Sequence, residues 1–111
     1  MLLSLVVVTA MLAAPASALA FFGAIAVNPQ TEAYGASDKQ PTKKAAERAA
    51  LNHCRGTCRT LLWVRDYCAA AVVTPKGFWG GFGPTHIAAI RAARTHAHNP
   101  HAKFLTWVCS G

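Results

Sequence analysis

The chain has 111 residues, 53% of them hydrophobic, with eleven Lys or Arg against four Asp or Glu and a formal net charge of +7. That length holds one small domain. The apolar share excludes a disordered polar tail, and the sign of the charge excludes an acidic, solvating protein.

The first segment reads as an address. Leu2–Ala14 is an uncharged run of apolar and small residues, shorter than the roughly 20 apolar residues a bilayer span needs. Pro15 and small residues follow, with Ala16-Ser17-Ala18 and Ala18-Leu19-Ala20. This is the layout of a secretory signal peptide over residues 1–20, cleaved after Ala20 or, at the earlier site, after Ala18. One usual part is missing, since no Lys or Arg precedes the apolar run. The mature part is then a single domain, residues 21–111, with no transmembrane segment and all of the charge. Its expected place is outside the cell, or in the periplasm or cell envelope.

The mature part aligns with itself. Residues 41–54, from Pro41-Thr42 to Cys54, match residues 84–97, from Pro84-Thr85 to Ala97, with eight of the 14 pairs identical. Val27-Asn28-Pro29 matches Val73-Thr74-Pro75, Tyr34-Gly35 matches Trp79-Gly80, and Leu61–Val64 matches Leu105–Val108. The reading is a tandem duplication, with copies at about 23–66 and 69–110.

Each copy reads as β-β-α-β. A short apolar strand (Ala24–Val27; Ala69–Val73) leads into a turn, Asn28-Pro29-Gln30-Thr31 or Thr74-Pro75-Lys76-Gly77, in which Pro presets φ at the second position. A second strand follows at Ala33–Ser37 or Phe78–Phe82, and Phe78, Trp79 and Phe82 are expected to pack under the helices. The helix opens at Thr42 or Thr85, whose hydroxyl can cap the first turn. In the first helix Ala45, Ala46, Ala49, Ala50 and His53 share one face at helical spacing, and Lys43, Lys44, Glu47, Arg48 and Asn52 the other. The last strand, Arg59–Val64 or Lys103–Val108, carries one Trp in each copy. The fold class is α+β, with two helices packed on a mainly antiparallel sheet.

Four cysteines in a short exported chain read as disulfides. Cys54 and Cys58 both align with alanines, Ala97 and Ala102, as a bond gained or lost as a unit would. The expected bridges are therefore Cys54–Cys58 and Cys68–Cys109. Cys54-x-x-x-Cys58 is one residue too long for a thioredoxin-type redox motif, and a four-cysteine zinc site is the lesser alternative.

His96, His98 and His101 form H-x-H-x-x-H at the end of the second helix, a candidate zinc or copper site. Asn99-Pro100 makes that stretch a turn, and surface or structural histidines are the expectation, with no metal or other cofactor. The match of His53 with His96 suggests a packing position. Lys76-Gly77-Phe78 begins like an RNA-recognition signature but fails at Trp79 and Gly80, so no nucleic-acid partner is expected. The carboxylates are Glu32, Asp38, Glu47 and Asp66, and the serines left after processing are Ser37 and Ser110. Neither set forms a paired acid–base or nucleophile motif, so the chain is not expected to be an enzyme.

Gly23-Ala24-Ile25-Ala26-Val27, then Pro41-Thr42 leading into Ala46-Glu47-Arg48-Ala49-Ala50-Leu51 and Cys54, resembles the bacterial secreted family called domain of unknown function 4189. Trp63, Cys68-Ala69-Ala70, Trp79-Gly80, Gly83-Pro84-Thr85 and Trp107-Val108-Cys109-Ser110 extend the resemblance to roughly Gly23–Ser110. It implies a small exported protein, an effector or host-interacting factor, and supplies no catalytic residues. The chain departs from the family by lacking a second-copy cysteine pair and by its histidine cluster. The functional expectation is a disulfide-stabilised binding module for a protein or envelope surface component. The alternatives are a cationic protein acting on anionic membranes or polymers, and a histidine-cluster metal binder.

Overall fold

Two strands are apolar at nearly every position because each is covered on both faces. In β1 (Phe22–Val27) the residues from Gly23 to Val27 are all buried, and in β4 (Cys68–Thr74) those from Cys68 to Val73. The structure, a computed structural model, describes residues 20–111; apart from Ala20, the expected signal peptide lies outside the described residues. The remaining elements are β2 (Tyr34–Gln40), α1 (Lys43–Asn52), β3 (Arg59–Arg65), β5 (Gly77–Gly83), α2 (His86–His96) and β6 (Lys103–Cys109).

These form two antiparallel three-stranded sheets, ordered β2-β1-β3 and β5-β4-β6. The single sheet expected from the sequence is thus corrected to two. The physical reason lies in the inner faces. Ile25, Val27, Val64, Ala69 and Ala71 form one buried cluster, with Leu61, Leu62, Phe78, Leu105 and Val108 packed around it. Stacking the sheets face to face removes all of these from water, which joining them edge to edge would not do. The result has four layers, α1, sheet, sheet, α2.

The outer faces are lined by small residues, which lets the helices approach closely. Ala24 and Ala26 meet Ala46 and Ala50 of α1, and Ala70 and Val72 meet Ala89 and Ala93 of α2. A side chain at Gly35 would collide with the backbone of α1 at Ala50 and of the turn after it at Cys54, and one at Gly81 with the backbone of α2 at Ala93. Thr42 and Thr85 are the N-caps, their hydroxyls accepting from the amides of Ala45 (3.0 Å) and Ala88 (3.1 Å). This satisfies one otherwise free donor in each first turn.

Several details differ from the sequence reading. The strand pairing sets Tyr34 opposite Val27 and Phe78 opposite Val73, so Tyr34 corresponds to Phe78, one residue away from the match to Trp79. His53 is exposed, because it follows the last helical residue and leaves the alanine stripe at the helix end. Phe82 is 57% exposed and Phe78 packs between the sheets, so of the three aromatic residues expected under the helices Trp79 alone lies against α2. Phe82 lies on the inner-face side of β5, beyond the end of the inter-sheet core.

Candidate binding surface

The outer face of α2 departs from that of α1 in composition. At the positions where α1 carries Lys44 and Glu47, α2 carries Ile87 and Ile90, and at Leu51 it carries Arg94. The helix is anchored to the sheet through Ala89 and Ala93, so Ile87 is left 55% exposed. A groove of about 550 Å³ opens there, lined among the described residues by Ile87, Ile90, Arg91, Arg94, His98 and Pro100 with Thr95 and Asn99.

The wall at the far end is built by a helix stop. His98 N donates to Thr95 O at 3.0 Å and Asn99 N to Arg94 O at 3.2 Å, the paired bonds of a Schellman cap. His98 takes the left-handed position with φ 52°. Asn99 Oδ1 then accepts from His101 N at 2.8 Å, and Arg94 Nε donates to Ala102 O at 3.1 Å. Those bonds fix Pro100 and Arg94 as groove walls.

The charge around the groove has one sign. Residues 67–111 contain Lys76, Arg91, Arg94 and Lys103 and no Asp or Glu. Among the described residues the ion pairs are Arg65–Asp66 and Lys103–Glu32, so neither arginine of the groove faces a carboxylate. Apolar side chains with unneutralised guanidinium groups can hold a ligand that is both anionic and partly apolar.

A second surface gathers aromatic rings. Phe22 and Trp63 lie 6.1 Å apart, as do Tyr67 and Phe82. Trp63, Arg65, Tyr67 and Phe82 line a shallow cleft of about 190 Å³. Lys43 Nζ sits 4.6 Å above the Trp63 ring, and at the corresponding place in the second unit His86 stacks on Trp107 at 4.5 Å. In each unit the first residue of the helix therefore covers the tryptophan of the last strand, a packing use for both rings.

The four cysteines form the bridges Cys54–Cys58 and Cys68–Cys109. The first closes the passage from α1 to β3; the second joins residues directly opposed across β4 and β6. The histidines of the H-x-H-x-x-H stretch have separate surroundings. His96 Nδ1 is 2.7 Å from Gly80 O, His98 lines the groove, and His101 is exposed in the turn. Among the described residues no group of three or more His, Cys, Asp or Glu is placed to hold a metal ion. His96 and His53 are both exposed, so neither has the packing position suggested by their alignment. Ser37 Oγ donates to Ala46 O at 2.7 Å, tying β2 to α1, and Ser110 Oγ is buried without a partner among the described residues. No helix among the described residues is long and apolar enough to cross a membrane.

Sequence reasoning missed Ile87, Ile90, Arg91 and Arg94 as a site. The signal was present in the self-alignment, where charged residues on the outer face of one helix become isoleucines on the other.

Residues 22–109 match the family described as Domain of unknown function (DUF4189), and the chain belongs to that family. It is 33% identical over 95 residues to Protein Rv1269c of Mycobacterium tuberculosis (strain ATCC 25618 / H37Rv), covering 86% of this chain and 74% of that protein. Protein Mb1300c of Mycobacterium bovis (strain ATCC BAA-935 / AF2122/97) matches with the same identity and coverage. No solved structure matches the chain.

Proposed function

We propose that this DUF4189 chain is an exported, non-enzymatic binding module whose partner, an anionic protein or cell-envelope component, seats on the outer face of α2. The observation that carries this reading is the groove of about 550 Å³ with exposed Ile87 beside Arg91 and Arg94, in a segment, residues 67–111, without Asp or Glu. Export is supported by the apolar leader and by two disulfides, which persist in oxidising compartments. A role as a secreted effector, the expectation the family resemblance brings, belongs to the same reading. The shared strand order of the two units and their aligned caps support descent by tandem duplication. The copies then differ at the groove, where Ile87 and Ile90 stand in place of Lys44 and Glu47.

A second reading, a cationic protein adsorbing to anionic membranes or polymers, is favoured by the same one-signed charge. Ionic strength separates the two, because at 0.1 M salt exposed charges more than about 10 Å apart are largely screened from one another. The test is retention of the oxidised protein on envelope fractions across a salt series, for wild type, Ile87→Asp and Arg91→Glu. Seating in the groove predicts retention that survives high salt and drops about tenfold or more for either variant. Retention that vanishes with salt and ignores Ile87→Asp sinks the groove reading in favour of simple adsorption.

A further inference from the structure

The start of the first unit is tied to the end of its last strand by a reciprocal pair of hydrogen bonds. Asp66 N donates to Phe21 O at 2.9 Å, and Phe21 N donates to Asp66 Oδ1 at 2.9 Å. The second unit repeats only the backbone half: Ser110 N donates to Tyr67 O at 2.9 Å. Ser110 stands where Asp66 stands, and its hydroxyl has no partner among the described residues. A carboxylate thus occupies this position only in the unit whose first strand follows the expected cleavage point.

We propose that hydrolysis of the Ala20–Phe21 bond creates an amino terminus for which Asp66 is the built receptor. A leader peptidase adds water across the bond; Ala20 departs as the carboxylate end of the released leader. The Phe21 nitrogen leaves as an amine and, with the proton released by the new carboxyl group, becomes an ammonium. The acceptor Oδ1 is already at hydrogen-bond distance, so a bond from a neutral amide to a carboxylate becomes one between two opposite charges. Cleavage after Ala18 would leave Leu19 and Ala20 in front and put the charge away from Asp66. The left-handed backbone of Asp66, φ 51°, is a reason for Asp or Asn at this turn, but it does not require a charge. The other carboxylate oxygen, Oδ2, lies 4.0 Å from Arg65 Nε, which leaves Oδ1 to the terminus. The inference rests on the export part of the proposed function and is independent of the groove.

The test uses the full chain exported from a bacterial host, as wild type, Asp66→Asn and Asp66→Ser. Asn keeps the turn preference and the acceptor without the charge, and Ser copies the second unit. Intact mass gives the first residue. The α-amine of each purified protein is then converted selectively to a ketone by transamination, which removes that charge together with its N–H donors. The expected result is a chain beginning at Phe21 whose melting temperature falls by about 2–4 °C on transamination, with a smaller fall in Asp66→Asn and Asp66→Ser, where the lost donor faced a neutral acceptor. A mass that retains Met1–Ala20 overturns the export reading and this proposal together. A chain beginning at Leu19, or an equal fall in all three proteins, overturns the receptor role of Asp66 while export stands.

Discussion

At the scale of single residues, the left-handed positions carry the most information. His98 closes α2 in the conformation that glycine adopts without steric cost, and its φ of 52° places a Cβ against the backbone. Replacing it with Gly should stabilise the domain by about 1 kcal/mol, read as a rise in the midpoint of denaturant unfolding with an unchanged slope. A loss of stability would mean that the imidazole makes contacts outweighing the strain. The same residue lines the groove, so a stabilised His98→Gly protein with weakened envelope retention would show the site holding a residue the fold alone would not choose. Gly35 is a residue-scale constraint of the opposite kind, since the backbone of α1 fills the space any side chain would take.

At the scale of elements, each helix is short and starts on a threonine cap. α1 has ten residues and α2 eleven, lengths at which an isolated helix is marginal and tertiary packing supplies the stability. Thr42→Ala and Thr85→Ala should each cost about 1 kcal/mol. The two caps belong to helices on opposite outer layers, so the double variant should cost the sum to within about 0.5 kcal/mol. Thermal or denaturant unfolding of the four proteins tests both statements. Marked non-additivity would show that the two helices are coupled through the stacked sheets. The outer faces differ more than the caps do: α1 carries Lys44 and Glu47 where α2 carries an exposed Ile87 and a partly buried Ile90.

At the scale of the whole molecule, the bridges differ in what they restrain. Cys54–Cys58 spans a sequence separation of 4 and Cys68–Cys109 one of 41. Loop-closure entropy assigns them about 2 and about 4 kcal/mol through the unfolded state. The Cys54→Ala, Cys58→Ala double variant copies Ala97 and Ala102 and should be the milder change. The Cys68→Ala, Cys109→Ala pair releases β6 from β4 and should cost more, as chemical denaturation of the two variants would measure. The reverse order would mean that the short bridge holds α1 against β3 in a way the second unit achieves by other contacts. Both effects are large because a chain this small buries a limited core.

What the sequence determined by itself is local. Apolar runs, turn prolines, helical spacing and capping placed the two β-β-α-β units, Thr42 and Thr85 as helix starts, and the tryptophan-bearing last strands. The self-alignment pointed to the same cysteine pairs that the structure contains. These features depend on residues near one another in the chain or on comparing equivalent positions. Only the tertiary structure decided that there are two stacked sheets, that Phe82 and His53 face solvent, and that Ile87 borders a groove. Periodicity shows that a face is apolar, but not which other apolar face covers it. β1 and β4 each have two apolar faces, one taken by a helix and one by the opposite sheet. The outer face of α2 mixes Ile87 with Arg91 and Arg94 and remains open because no further layer of this chain reaches it among the described residues.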